Sequence, residues 1–399
     1  MVIGAGVSGL SSGIRLLEND WKVTIWAAEF SPNTTSDVAA ALWYPFLSAP
    51  VERTGAWGFN TYNVLKELAK LPDTGVTMTQ TYEYFRESQS DPIWKDWVDS
   101  FERKTDGLPA DYVDCFTFIT SIIEMPVYLK WMLSRYTSLG GITSQRTIDS
   151  FESFPDEYTA VINCTGLSSG ALLDDDEMYP IRGQIIRIKA GIKEMYLDQQ
   201  IESLTYIVPR SQDVVLGGVA QQGNWDLSTD LSDHEAILEK CGAIIPEIKD
   251  AEIIEDLVGL RPGRTEVRLE KEHIRGRPLV HNYGHGGSGV TLSWGCADEV
   301  VELVNGGVDF PEKRMDGDFV LVVAWALAVL RDKGPYPVIV LSGKQGSAKS
   351  TFYGILRALL DPNSAPLRAP PREDRDLFIA ATNGYVLTFD NVSGLPPWI

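Results

Sequence analysis

Apolar and polar positions alternate in blocks along the chain, and the first blocks predict a strand, a helix and a second strand. Met1–Ile3 is a short apolar start before a glycine-rich turn. Leu10, Ile14 and Leu17 then fall on one face of a helix, and segment 22–30 is apolar again, as a strand would be. This order predicts an α/β fold. Because the first strand is so short, we expect it to weaken an edge of the site beside it.

The apolar pattern also separates the end of the chain from the rest. The longest apolar run, Phe319–Leu330, has twelve residues, fewer than the roughly 20 that a membrane-spanning helix needs, so we interpret it as a buried helix. It follows a polar stretch with glycine and proline at 305–318, which is typical of a linker. No signal peptide is visible and Pro397–Ile399 is not a peroxisomal signal, so we expect a cytoplasmic protein without a membrane partner.

The balance of charge changes at the same place. From Arg314 onward there are 9 Lys/Arg and 8 Asp/Glu, a net charge of +1, whereas the preceding 313 residues carry 26 and 47, a net charge of −21. We therefore predict a domain boundary near residue 314. The overall charge of −20 argues against nucleic acid as a partner. The four cysteines and four histidines are scattered, which predicts free thiols and no metal site.

The turn after the first strand, "VIGAGVSGL", has the GxGxxG spacing of a dinucleotide-binding loop. Its glycines allow a tight turn, close approach of a pyrophosphate and close packing of helix on strand, while the helix N-terminus faces the phosphates. Twenty residues later, Glu29 stands where a carboxylate can bond ribose hydroxyls. The alternative is a glycine turn that holds no ligand. The loop residues assigned to cofactor binding are Gly4, Gly6, Val7, Ser8 and Gly9.

Five further segments carry a more specific pattern. They are "SPNTTSDVAAALWYPF" (31–46), "VINCTGLSSGAL" (161–172), "TYIVPRSQDVVLGGVAQQGNW" (205–225), "VGLRPGRTEVRLE" (258–270) and "HNYGHGGSGVTLSWGCADEV" (281–300). In this order, and from Met1 to about Asn305, the chain resembles the D-amino-acid oxidase family of FAD enzymes.

The resemblance implies two intertwined domains and non-covalently bound FAD. The Rossmann-like FAD-binding domain would comprise residues 1–58, 126–177 and 257–310. The substrate-binding domain, a mixed sheet, would comprise residues 59–125 and 178–256.

Matched residue by residue, the resemblance assigns further contacts to FAD. Relatives often have an aspartate where this chain has Ala28, so either Glu29 takes that role or the backbone alone holds the ribose. The other matches comprise a phosphate-contacting hydroxyl run, contacts near the flavin and adenine rings, and a loop that closes over the flavin. They are Thr34, Thr35, Ser36, Leu42, Trp43, Ile148, Gly286, Ser288, Gly289, Val290 and Thr291.

Three residues match the substrate site of the family. Arg261, in "GLRPGR", resembles a carboxylate clamp, because a guanidinium forms two parallel charge-assisted bonds. Tyr206 resembles its hydroxyl partner, and the Gly287 carbonyl matches an acceptor for the substrate amine. The resemblance implies oxidative deamination of a D-amino acid by hydride transfer to flavin N5, followed by hydrolysis to a 2-oxo acid and ammonia. O₂ would be reduced to hydrogen peroxide.

Substrate preference is predicted from Ala220 and Glu202. Relatives that accept D-aspartate carry an arginine at position 220, whereas alanine offers an acidic side chain no charge partner. Glu202 stands where the family has a second tyrosine, and its charge would disfavour D-Asp and D-Glu. Neutral substrates are therefore favoured; D-aspartate oxidase, or a glycine or amine oxidase, is the alternative. Arg264 and Arg268 are interpreted as solvated charges, and a homodimer is left open.

A second phosphate loop, "LSGKQGSAKST" (341–351), resembles the front of a P-loop ATPase of the phage or primase-associated group. Gly343, Lys349 and Ser350 fit GxxxxGK[ST] except that Ala348 replaces the second glycine, and Asp390 ends an apolar strand, as an acid that directs Mg²⁺ does. The chain stops before later strands could follow. We therefore expect an incomplete P-loop segment over 318–399, joined by a linker at 311–317.

Three accounts of this tail are open at the level of sequence. The tail is a fusion artefact, or a genuine appended regulatory segment, or the functional ATPase module with the oxidase part as a passenger. For the main body, a flavoprotein that binds without turnover is a further alternative.

Overall fold

The chain begins with a strand, a helix and a second strand, as the apolar pattern predicts. The structure, a computed structural model, describes residues 1–306 except 45–47, 153 and 201–202, all within the first of the two units into which the chain divides, Met1–Phe310. The predictions for Glu202, the linker, and the phosphate-loop residues Gly343, Lys349, Ser350 and Asp390 lie outside the described residues.

The described residues form fifteen strands and six α-helices. The strands are β1 (Val2–Ile3), β2 (Thr24–Ala27), β3 (Val76–Phe85), β4 (Asp99–Lys104), β5 (Asp114–Ile123), β6 (Ile142–Gln145), β7 (Val161–Asn163), β8 (Tyr179–Lys189), β9 (Met195–Asp198), β10 (Thr205–Pro209), β11 (Val214–Gly217), β12 (Gln221–Gln222), β13 (Glu252–Gly263), β14 (Arg268–Ile274) and β15 (Arg277–Tyr283). The helices are α1 (Val7–Glu18), α2 (Val51–Leu68), α3 (Met125–Ser138), α4 (Ser168–Leu173), α5 (Leu231–Ile244) and α6 (Gly289–Val304).

Six strands form the smaller sheet, in the order β14-β15-β7-β1-β2-β6. All neighbours are parallel except β14, which pairs antiparallel with β15 at one edge. Strand β1 is as short as predicted, but it is held on both sides, because Val2 pairs with Ile25 on β2 and with Ile162 on β7. The glycine loop after β1 therefore starts from the middle of the sheet.

The larger sheet has nine strands of mixed direction. Strand β3 runs parallel to β9, and the other pairs are antiparallel. Across four neighbouring strands, Glu83, Leu197, Tyr206 and Gly217 are direct partners. Residues that pair directly lie on one face of a sheet, so Glu83 and Tyr206 share a face.

Helix α1 buries the face that the sequence predicts. Leu10 and Ile14 are buried and Leu17 is partly buried. The helix packs against α3 and α6, so the segment after the glycine loop is fixed by neighbours from distant parts of the chain. Among the described helices, none has both the length and the apolarity to cross a membrane.

Two sheets with flanking helices confirm the predicted α/β fold class. Strands of the smaller sheet come from segments 2–27, 142–163 and 268–283, and strands of the larger sheet come from 76–123 and 179–263. The predicted limits of the two domains stay a prediction.

Candidate active site

One large cavity, about 910 Å³ in volume, collects most of the residues predicted to carry the chemistry. One wall is built from the loops after the parallel strands β1, β2 and β7, which is where open α/β sheets bind ligands. The other wall belongs to the larger sheet. The predicted residues that line the cavity are Gly4, Gly6, Val7, Ser8, Ala28, Glu29, Thr34, Thr35, Ser36, Leu42, Ile148, Tyr206, Arg261, Gly286, Gly287, Gly289, Val290 and Thr291.

Three residues predicted to contact the cofactor, Gly9, Trp43 and Ser288, do not line the cavity. A side chain at Gly9 would collide with the carbonyl oxygen of Gly4, so this glycine serves the close packing of α1 on the turn. Trp43 is fully buried, and its indole nitrogen donates to the Gly58 carbonyl at 2.8 Å. Ser288 is buried beside the start of α6. The structure places all three behind the cavity wall.

Gly4 and Gly6 place no side chains at the floor of the cavity. Gly4 has a φ of +107°, which side chains disfavour, and a Cβ there would collide with the backbone oxygen of Cys164. A Cβ at Gly6 would lie 3.0 Å from Ser36 Oγ. Helix α1 begins at the next residue, Val7, so its positive N-terminus faces the cavity. This cradle fits the pyrophosphate of a dinucleotide.

The hydroxyl groups of Thr34 and Ser36, both predicted to contact phosphate, differ in whether they can still donate a hydrogen bond. Thr34 Oγ1 donates to Asp37 Oδ2 at 2.6 Å, and the Thr34 amide donates to the same oxygen at 2.8 Å. Ser36 Oγ instead accepts the Val7 amide at 3.0 Å, a bond that uses a lone pair and not the hydroxyl proton. Ser36 is therefore better placed than Thr34 to donate to a phosphate.

Beyond β2 the cavity offers groups that suit an adenosine. Glu29 is exposed there and accepts a long bond from Asn33 Nδ2 at 3.5 Å. The Arg146 guanidinium lies over the Trp26 ring, 4.3 Å from its centroid, and lines the cavity together with Ile148. A carboxylate, a guanidinium and apolar surface match the hydroxyls of a ribose and the face of a base.

A third part of the cavity joins two segments far apart in sequence. Thr291 Oγ1, in the first turn of α6, accepts the Tyr44 amide at 3.2 Å and donates to the Tyr44 carbonyl at 3.0 Å. Ala41 and Trp43 pair with β5, so the alternation of an extended chain turns the Leu42 amide away from β5. Backbone donors of Leu42 and of the α6 N-terminus are thus available to a flat ring with polar edges.

Arg261 and Tyr206, predicted as clamp and partner, meet in the wall formed by the larger sheet. Arg261 Nη1 donates to the Val219 carbonyl at 3.0 Å, and Nη2 lies 3.5 Å from the Tyr206 hydroxyl. Tyr206 is 8% exposed. Burial raises the pKa of Tyr206, and the nearby Arg261 charge offsets part of that rise. Tyr206 is therefore a neutral hydroxyl donor near neutral pH.

Neighbouring arginines show what distinguishes Arg261. Arg264 Nε lies 3.1 Å from Asp175 Oδ2, and Arg268 Nε lies 2.5 Å from Glu270 Oε1. The two arginine side chains are only 12% and 15% exposed. The interpretation of these two as solvated charges was therefore wrong, because each is a largely buried structural ion pair. Arg261 has no carboxylate within 4.0 Å among the described residues, although its guanidinium lines the cavity.

Three glycines that make room for this pair were missed. A side chain at Gly183 would collide with the Arg261 guanidinium, and side chains at Gly217 or Gly218 would collide with the Tyr206 ring. The "GG" pair in "VVLGGVA" was a visible signal, since glycine inside a strand often marks close approach of another group. Gly183 lies inside β8 and is a glycine of the same kind.

The two histidines of segment 281–300, His281 and His285, are structural. Burial lowers the pKa of His285 to about 4, and its Nε2 lies 3.0 Å from Asn282 Oδ1. Burial also lowers the pKa of His281, which is fully buried beside Glu272. Both rings are therefore held in place by neighbours.

Comparison with known proteins agrees with this geometry. A family described as FAD-dependent oxidoreductase (DAO) matches residues 1–303. A D-amino-acid oxidase from Rubrobacter xylanophilus is 44% identical, with 76% of this chain and 94% of the relative covered. Human D-aspartate oxidase is 36% identical over the same shares of the two chains. Glycine oxidase from Geobacillus kaustophilus, a solved structure, aligns with a TM-score of 0.64 at 18% identity, over 77% of this chain and 95% of that one.

The tail matches a different family. Residues 302–399 match a replication protein of actinomycete integrative conjugative elements, which agrees with a non-oxidase segment at this end. The 18% identity of the solved structure shows the fold alone, whereas the family match spans all of the cavity-lining residues. The glycine cradle, the Leu42 backbone and Arg261 all lie within the matched residues. The cofactor is FAD, and the chain belongs to the D-amino-acid oxidase (DAO) family of FAD-dependent oxidoreductases.

Proposed function

We propose that this enzyme converts neutral D-amino acids to 2-oxo acids, with release of ammonia and hydrogen peroxide. The observation that carries the proposal is the Arg261 guanidinium, which lines the cavity beside Tyr206 without a carboxylate partner among the described residues. A substrate carboxylate completes this arrangement, because a guanidinium binds it through two parallel bonds. The 44% identical D-amino-acid oxidase supports the same assignment.

In this proposal each residue fixes one part of the substrate. Arg261 and the Tyr206 hydroxyl hold the carboxylate, and the Gly287 carbonyl accepts a hydrogen bond from the substrate amine. FAD, when bound, supplies the hydride acceptor, and O₂ is the final oxidant. Holding two substituents leaves the α-hydrogen of only one enantiomer directed toward the flavin-binding wall. Water then hydrolyses the imino acid to the 2-oxo acid and ammonia.

Ala220 supports the preference for neutral side chains. It lines the same cavity as Arg261 and is exposed there. It can neither neutralise a second substrate carboxylate nor fill the space beside it. D-aspartate oxidase activity, the function named for the 36% identical human relative, is the alternative.

A peroxide assay on FAD-loaded protein tests the proposal across D- and L-amino acids and glycine. We expect D-Ala and D-Met to be oxidised, D-Asp to react at least about tenfold more slowly, and the L-enantiomers not to react. Equal rates for both enantiomers, or no turnover with bound FAD, would refute the proposal. Activity confined to glycine or to D-Asp would favour one of the alternatives.

The tail supports a separate proposal of nucleoside triphosphate binding. Gly343, Lys349 and Ser350 fit a phosphate-binding loop and Asp390 fits an acid that directs Mg²⁺, and the family match names a replication protein. Loss of ATP binding in Lys349→Ala would test it. For the oxidase, the proposed partners are a small D-amino acid and O₂. A homodimer, a cytoplasmic location and the absence of nucleic-acid and membrane partners stay predictions.

A further inference from the structure

Tyr44 lines the cavity, although no sequence pattern singled it out, and it is held at both ends. Its backbone is bonded to Thr291 in both directions, at 3.2 and 3.0 Å. Its hydroxyl donates to Glu83, a carboxyl on β3 that is only 1% exposed. A ring fixed at its backbone and at its tip cannot swing aside to admit a larger ligand.

The position of Glu83 places this ring near the clamp. Glu83, Leu197 and Tyr206 are direct partners across β3, β9 and β10, so Glu83 and Tyr206 share a face two strand spacings apart, about 10 Å. Tyr44 packs against the apolar cluster on that face, which includes Leu197, Leu204 and Tyr206. Tyr44 therefore belongs to the substrate end of the cavity.

Holding Tyr44 leaves part of the buried Glu83 carboxyl unsatisfied. Its second oxygen, Oε2, is buried and has no hydrogen-bond partner in the described part of the chain. An unsatisfied buried polar group typically costs about 1–3 kcal/mol. Other buried tyrosines are held by backbone carbonyls and need no buried carboxyl. Tyr62 donates to the Ile119 carbonyl at 3.0 Å, and Tyr136 donates to the Val23 carbonyl at 2.8 Å.

We propose that Tyr44 sets the upper size limit of the substrate side chain and that Glu83 is the positioning residue that fixes the Tyr44 ring. The inference rests on the proposed amino-acid oxidase function, because it assigns the side-chain end of that same site. Ala220 leaves space in the cavity, and the Tyr44 ring limits it. Small and unbranched neutral side chains are accommodated, whereas bulky aromatic ones are excluded.

The ratio of kcat/KM for D-Trp to that for D-Ala measures the size limit. Tyr44→Ala should raise this ratio about tenfold or more, a typical effect of relieved or lost pocket contacts. Glu83→Leu should raise it in the same direction, because the ring loses its anchor. Glu83→Gln keeps an acceptor for the Tyr44 hydroxyl and should stay within about twofold of wild type. Tyr196→Phe is the matched control, since Tyr196 donates to Glu194 at 2.9 Å within a different apolar cluster.

An unchanged ratio in Tyr44→Ala, or equal effects of Glu83→Leu and Glu83→Gln, would overturn the proposal. If Tyr44→Ala does not fold, Tyr44→Leu should raise the ratio and Tyr44→Trp should lower it. Flavin content and thermal melting report whether each variant is folded. A ratio that moves the opposite way in these two variants would also overturn the proposal.

Measurements of binding without turnover distinguish a failure of this inference from a failure of the proposed function. Propionate and indole-3-propionate carry a carboxylate but no amine, so their affinities can be measured through flavin absorbance without turnover. Tyr44→Ala should favour indole-3-propionate over propionate by about tenfold. A shift in binding without any D-amino-acid oxidation would reject the proposed function and keep the size limit. Oxidation of D-Ala without a shift would do the reverse, and binding of neither acid by wild type would reject both.

Discussion

At the scale of single residues, the site depends on how Arg261 presents its guanidinium. Lysine keeps the charge but cannot form two parallel bonds. We expect Arg261→Lys to lose about 3 kcal/mol of transition-state binding, since removing one partner of a buried charge pair costs about 2–5 kcal/mol. That loss corresponds to more than a 100-fold fall in kcat/KM for D-Ala. Steady-state kinetics measures the fall, and flavin absorbance should show unchanged FAD content.

Arg275→Lys provides the control for this substitution. Arg275 is exposed and donates to the Glu152 carbonyl at 2.8 Å, away from the residues that line the cavity. Its kcat/KM should match wild type. An Arg261→Lys enzyme that kept its kcat/KM within about threefold would show that Arg261 is not the clamp.

Ala220 is the second residue at which a single change should alter the chemistry. Because Ala220 lines the cavity and is exposed there, an arginine at this position can reach a second substrate carboxylate. Ala220→Arg should therefore raise the D-Asp to D-Ala ratio of kcat/KM. Ala220→Gln adds length without charge and should leave the ratio nearly unchanged. Equal ratios in the two variants would mean that charge at residue 220 does not reach the substrate.

At the scale of elements, strand β3 brings a carboxyl into the interior, and folding becomes coupled to pH. Burial, and next the charge of Asp198, raise the pKa of Glu83 from 4.5 to about 8, although the bond from Tyr44 opposes the rise. Between about pH 4.5 and 8 the folded state therefore holds a proton that the unfolded chain releases. Glu83 thus makes stability fall as pH rises through this window, by up to about 1.4 kcal/mol per pH unit. Below the window the effect vanishes, and above it the loss is complete.

Urea unfolding of wild type and Glu83→Gln at several pH values tests this coupling. The glutamine does not titrate, so Glu83→Gln should gain stability relative to wild type from pH 5 to pH 8, and the gain should level off above pH 8. The exposed Glu87→Gln should track wild type throughout. A difference between wild type and Glu83→Gln that stayed constant over this range would contradict the pKa shift.

Elements whose signals are local were predictable. Spacing within a few residues predicts the buried face of α1, the positions of β1 and β2, and the glycine loop. This is possible because helix periodicity and turn formation depend on residues that are close together in the sequence. The pairing of Tyr206 with Arg261 came from resemblance, since the two are 55 residues apart. Tyr44 and Glu83 were missed because they are 39 residues apart and meet only in the folded protein. Arg264 and Arg268 were misread because their carboxylate partners could not be identified from sequence.

At the scale of the whole molecule, the oxidase and the tail are expected to be separable. The 44% identical relative is covered over 94% of its length by 76% of this chain, and the oxidase family match ends at residue 303. Deleting residues 315–399 should therefore leave FAD binding and kcat/KM for D-Ala unchanged within about twofold. In the full chain, Lys349→Ala should not alter oxidase turnover with or without ATP. Loss of FAD from the shortened protein, or an ATP effect that requires Lys349, would make the tail a working part of the oxidase.

The central place of β1 has a consequence for synthesis on the ribosome. Val2 pairs with Ile25, which emerges almost at once, but also with Ile162, which is translated 137 residues later. At typical elongation rates of 5–20 residues per second, this interval is on the order of 10 s. During that time the nascent chain exposes one edge of its first strand, and the glycine loop lacks the Cys164 backbone against which it packs. Chaperone engagement should therefore concentrate on nascent chains from which segment 161–164 has not yet emerged, and we expect flavin to be captured only after that pairing is complete.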